Sequence, residues 1–187
     1  MHPLLLSLTN IHTNICMKAT SHTFTLTTYL PIPKFLKVSS AVQLVLSACV
    51  YHFVISTVMQ NLKVAEKNGV IISDSNGLLW VVHTPLVSWN ANSPEQHVIS
   101  CISSKYFLVF TASTEYFGEA TPSPIHCHQV TFVAIRKACL LCDACDITTL
   151  HKVCLSSSHL NGMVVPFWVD WGDVCPLIFL TPNTFHQ

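Results

Sequence analysis

The chain has 187 residues, half of them hydrophobic, and only 10% are Asp, Glu, Lys or Arg, where a soluble domain carries roughly a quarter. Nine acidic and nine basic residues cancel and neither sign forms a block. Composition therefore offers no electrostatic footprint for nucleic acid or an acidic partner, and neutrality favours self-association. Glycine occurs only five times and the sole arginine is Arg136, so tight-turn residues and charged helix surface are both scarce. The abundant Ser, Thr, Leu, Val, Phe, His, Cys and Pro draw on pyrimidine-rich codons, the pattern of an orphan-like reading frame little shaped by selection for folding.

Residues 1–37 read as an irregular segment. The apolar patch Leu4-Leu5-Leu6 is interrupted at Ser7 and has no basic leader, which argues against a cleaved secretory signal and against secretion. Pro31 and Pro33 break whatever precedes Lys34, so coil with one short strand is expected.

The uncharged stretch from Val38 to Met59, bounded by Lys34 and Lys37 before and by Lys63, Glu66 and Lys67 after, spans about 33 Å as a helix against roughly 30 Å of hydrocarbon. Its best window has a mean hydropathy of roughly +1.7, just inside the membrane range. Val38, Val42, Val45, Val50, Val54, Ile55, Thr57 and Val58 are β-branched, yet no Gly, Pro, Asn or Asp interrupts the run. The expectation is one apolar helix over about 38–62 that crosses a lipid bilayer through 38–59, with a membrane location favoured over the cytoplasm. Flanking lysines tie, so orientation is unassigned. Gln43 and His52 fall on opposite helix faces, whereas Ser40, Gln43, Ser47 and Tyr51 share a stripe suited to helix pairing.

After the turn signal Asn68-Gly69 the chain reads as short β-type runs over Val70–Ser73, Leu78–His83, His97–Ile102, Tyr106–Thr111 and Gln129–Ile135. Between the first two, Asp74-Ser75-Asn76-Gly77 predicts a hairpin, because Asn-Gly accepts the positive φ such turns need. Residues 60–187 are thus a weakly specified β/coil region containing a cysteine-rich stretch at 139–154.

That stretch holds the sharpest chemical motif. Cys139, Cys142 and Cys145 follow a C-x-x-C-x-x-C spacing, with His151 and Cys154 downstream and Cys175-Pro176 further on; such spacing presents thiolates from one loop to a metal. Cys139, Cys142, Cys145 and Cys154 are accordingly the candidate metal ligands. A ferredoxin-type run would place the next cysteine at Thr149, so the local signature is incomplete. His126 and His128 add donors on one side of an extended segment. Nine cysteines, an odd number, point to reduced thiols rather than a disulfide framework. Asp170 and Asp173 form a carboxylate pair whose plain reading is a polar turn.

No nucleophile elbow, phosphate loop, dinucleotide fingerprint or zinc-protease motif is present. The sequence therefore predicts no confident globular fold, no enzyme activity, no cofactor, no nucleic-acid partner and no specific protein partner. It reads as an orphan-like single-pass membrane protein, with a cysteine-cluster metal-binding module and a soluble β-rich interaction domain as alternatives.

Overall fold

A computed structural model describes residues 2–16, 18–111, 123–172 and 174–182. Among these the architecture is mixed α/β, with seven α-helices and three two-stranded sheets. Strands β1 (His2–Leu6) and β2 (Thr25–Leu30) pair antiparallel around helix α1 (Thr13–Cys16), so the expected coil is a hairpin-like unit. Helix α2 (Ser40–Val58) runs into α3 (Gln60–Asn68), followed by strands β3 (Val70–Ser73), β4 (Leu79–Val82) and β5 (Trp89–Ala91). Helices α4 (Ser93–Ser100), α5 (His128–Leu141), α6 (Ile147–Ser158) and α7 (Pro176–Phe179) precede β6 (Leu180–Pro182), which pairs parallel with β5.

Helix α2 starts where the Ser39 hydroxyl accepts the Val42 N–H at 3.4 Å. Its buried residues, Val45, Ala48, His52 and Ile55, continue to Met59, a spacing of three and four that forms one stripe facing the core. By length and composition α2 is long and apolar enough to cross a membrane, with a mean hydropathy of 1.8. In the structure the stripe is covered by protein. His52 is fully buried: its Nδ1 accepts the Phe167 N–H at 3.0 Å, and its Nε2 lies 2.9 Å from the Val98 carbonyl. Because Nδ1 accepts, Nε2 carries the proton and donates, which fixes the neutral tautomer.

The core gathers on this point. Phe167 lies 5.5 Å from the His52 ring, 5.3 Å from Trp89 and 6.4 Å from Phe179, centroid to centroid. Trp168 Nε1 donates to the Ile99 carbonyl at 2.7 Å, so a large apolar side chain enters the core with its polar atom satisfied. Ile55, Ile99, Leu150 and Leu160 complete the buried cluster.

Two runs expected as strands are helical. Over His97–Ile102 the chain instead finishes α4, whose start is set by the Asn92 side chain accepting the Glu95 N–H at 3.0 Å with a proline in the first turn. Gln129–Ile135 lies inside α5, where Thr131, Ile135 and Ala138 are buried at helical spacing. Over Tyr106–Thr111 the only described pairing is an isolated bridge of Phe110 to Ile125. Composition favoured strands at these places, but capping side chains and tertiary burial outweighed β-propensity.

Candidate nucleic-acid interface

Helices α5 and α6 form a hairpin joined by residues 142–146. The Cys127 sulfur accepts the Val130 N–H at 3.4 Å and starts α5. Asp146 starts α6 by accepting the Thr149 N–H at 3.2 Å and its hydroxyl at 2.6 Å. The two helices pack through Ile135 and Ala138 of the first and Leu150 and Cys154 of the second, all in the core cluster.

What they leave outside is a mixture of apolar side chains, among them Val133 and Leu140, and three cations. Arg136, Lys137 and Lys152 are exposed, and neither helix contains an aspartate or glutamate. Arg136 stacks on Phe132, its guanidinium carbon 4.3 Å from the ring centre, which holds the charge at the surface in a defined place. The acidic residues nearest in sequence lie in the connecting turn and are occupied locally: Asp143 accepts the Cys145 N–H at 2.9 Å, and Asp146 is the cap just described. Hydrogen bonds from the Thr149 hydroxyl and N–H hold the Asp146 carboxyl below its ordinary range, with Lys152 a lesser contributor. A pair of helices with exposed cations and no anions of its own is the charge arrangement that meets a phosphate backbone.

The cysteine motif lies at the same hairpin. Cys139 and Cys142 are half-buried, Cys154 is buried, and Cys145 is exposed on the turn. Burial, then the neighbouring Cys139 and Cys142, pushes the Cys154 thiol up to about 11; burial and Cys142 raise Cys139. The Cys142 thiol donates to the Ala138 carbonyl at 3.3 Å. Burial thus holds two of the four sequence-predicted ligands, Cys139 and Cys154, toward the thiol form as neighbours of the core. Among the described residues, no group of three His, Cys, Asp or Glu side chains converges to hold a metal ion.

His126 and His128 part company, because α5 begins between them: His126 is buried ahead of the helix and His128 is its first residue. Burial, then His159, lowers the His126 pKa. The Asp170 Oδ1 takes the buried Lys63 ammonium at 2.5 Å, and Lys63 also donates to Ser56. Asp173 lies outside the described residues.

The sequence pattern of the Plavaka transposase family matches residues 1–187. The chain belongs to that family. No curated protein and no solved structure matches it.

Membership of the Plavaka transposase family corrects three expectations. The orphan-like reading frame gives way to a transposase-related chain, and the single-pass membrane protein, the metal-binding module and the β-rich interaction domain give way with it. A lipid bilayer through 38–59 is replaced as the partner. The exclusion of nucleic acid, drawn from composition, is withdrawn. Arg136 and Lys137 are adjacent on α5, and the turn at 142–146 brings α6, with Lys152, against that helix.

Proposed function

We propose that this chain is a DNA-contacting part of a transposase, which meets the phosphate backbone through Arg136, Lys137 and Lys152 on α5 and α6. A transposase acts on DNA, so family membership supplies the ligand class. The single observation that carries the placement is the exposure of these three cations on two packed helices that hold no carboxylate. Contacts of this kind position a protein on the duplex without reading its sequence. The site acts in whichever compartment holds that DNA.

In the same reading this chain binds DNA without cutting it. Metal-assisted phosphoryl transfer uses carboxylates that converge on two ions roughly 4 Å apart. Among the described carboxylates, Asp74, Asp143 and Asp146 close turns or cap a helix, Glu95 takes the Tyr51 hydroxyl and Asp170 takes Lys63, while Glu66 keeps one buried oxygen without a partner.

Fluorescence anisotropy with a labelled 30-base-pair duplex tests the proposal. Three neutralised phosphates predict a slope of log K against log salt of about −3. The variant Arg136→Ala/Lys137→Ala/Lys152→Ala is expected to weaken binding at least ~10-fold at low salt, uniformly across duplex sequences. Unchanged binding by that variant overturns the assignment of the site. Duplex cleavage by the purified chain with magnesium or manganese overturns the non-cutting role.

A further inference from the structure

The start of α5 borders a small cleft whose walls include Ser100, Leu108, His126, Cys127, Thr131 and Cys175, with no aspartate or glutamate among them. The cleft is partly open to solvent and has room for one water-sized group. His126 is fixed there through its backbone: its N–H donates to the Val109 carbonyl at 2.9 Å, beside the bridge of Phe110 with Ile125. The residue is only 6% exposed, and its Nε2 is buried with no hydrogen-bond partner among the described residues. A buried nitrogen left unpaired costs about 1–3 kcal/mol, a cost that a ligand oxygen in the cleft removes.

The helix supplies further donors. Within its first turn the Val130 N–H is taken by the Cys127 sulfur at 3.4 Å, whereas the N–H groups of His128 and Gln129 have no acceptor inside the helix. They stand at the positive end of a helix of 14 residues whose first turn holds no acidic residue, and Gln129 is exposed. Donors without a carboxylate, next to a space of one oxygen's size, suit an anion and repel a cation.

We propose that the start of α5 seats a DNA phosphate, with one oxygen entering the cleft to accept the His126 Nε2–H and another accepting the backbone N–H groups of His128 and Gln129. The inference rests on the DNA-contacting reading above and extends its track along α5. Arg136 lies eight residues beyond His128, about 12 Å at 1.5 Å per residue, a length that covers three to four phosphates of one strand. Burial, then His159, holds the His126 pKa low, so without an anion the imidazole is neutral and carries one proton. A phosphate draws that proton to Nε2 and favours the charged ring, which raises the pKa. The other titratable groups around His126 are Cys127 and His128 on its own segment, Cys175 across the cleft and His159 at the end of α6.

Histidine NMR of the full chain, titrated with pH and assigned through His126→Gln, tests this. The 30-base-pair duplex is expected to move the His126 signal and to raise its titration midpoint. In anisotropy, His126→Leu is expected to weaken duplex binding about 10-fold, the worth of one hydrogen bond to a charged group, with the salt slope unchanged because no cation is lost. His126→Gln, which keeps a side-chain N–H, should stay within about 2-fold of the wild type. If His126→Leu loses its native circular dichroism, the wild-type signals with and without duplex decide. A His126 signal unmoved by duplex, while Arg136→Ala/Lys137→Ala/Lys152→Ala still weakens binding, overturns this inference alone and leaves water in the cleft. Undiminished binding by folded His126→Leu does the same, as does a His126 signal that moves with inorganic phosphate but not with duplex. A wild-type chain that binds no duplex overturns the DNA reading and this inference with it.

Discussion

Two apolar regions of this protein lie next to each other in sequence and differ in fate. Helix α2 buries a single stripe of residues spaced three and four apart, and that stripe carries a histidine whose two ring nitrogens tie it to α4 and to Phe167. The β3–β4 hairpin is as apolar, yet leaves both faces in solvent. Hydrophobic content is therefore a poor guide to burial. What separates the regions is whether the pattern leaves one face for the core, and whether polar atoms inside it find fixed partners. A helix with a stripe satisfies its backbone internally and needs one covered side. A two-stranded ribbon needs a neighbour on at least one face to be stable alone.

The largest effect expected on this contrast comes from the centre of the core. Trp168→Ala removes a fully buried side chain and strands the Ile99 carbonyl that accepts its indole N–H. The expected loss is about 3–5 kcal/mol, read from the midpoint of urea unfolding, and is large enough to unfold a marginally stable chain.

Next comes acid. Burial pulls the His52 pKa down from its ordinary 6.5 to about 4, with the Val98 hydrogen bond a smaller opposing influence. The folded state therefore holds His52 neutral, and its stabilising contribution is fully present above pH 6.5. As pH falls below 6.5 the unfolded chain takes up a proton that the native chain refuses, so stability drops progressively until about pH 4. The expected loss across that window is about 3 kcal/mol, seen as a falling thermal midpoint. In His52→Leu this pH-dependent loss should shrink, although the variant starts less stable because the Phe167 N–H and the Val98 carbonyl lose their partner. A pH profile unchanged by that substitution would show that another group carries the acid sensitivity.

These effects also mark what was legible beforehand. An apolar helix near 38–59 and the hairpin at Asp74–Gly77 were written locally, in an uninterrupted apolar run and in an Asn-Gly turn, although α2 stops at Val58 and residues 60–62 open α3 rather than extend it. The role of His52 was not. On a helical wheel it is simply a polar exception opposite Gln43, and its partners Val98 and Phe167 are 46 and 115 residues away. Helices α4 and α5 were hidden for a related reason: His97–Ile102 and Gln129–Ile135 have strand-like composition, and only the caps at Asn92 and Cys127 together with burial of Ile99 and Ile135 make them helical. The proposed interface was only partly local, because Arg136 and Lys137 are adjacent in sequence but Lys152 joins them only when α6 folds back on α5. The cysteine spacing, by contrast, was fully visible and suggested a metal, but a thiol's environment depends on burial, which spacing does not encode.

The smallest expected effect is the one that isolates the hairpin from the core. Val81→Thr keeps β-branching and nearly the same shape while replacing one methyl by a hydroxyl at a site that stays in solvent. It should change unfolding free energy by less than about 0.5 kcal/mol. The same chemical change at Val45, in the buried stripe of α2, puts a hydroxyl into an apolar site and should cost about 1–3 kcal/mol. Equal costs at the two sites would mean that the hairpin face is covered within a single chain, and the contrast between a buried stripe and an open ribbon would disappear.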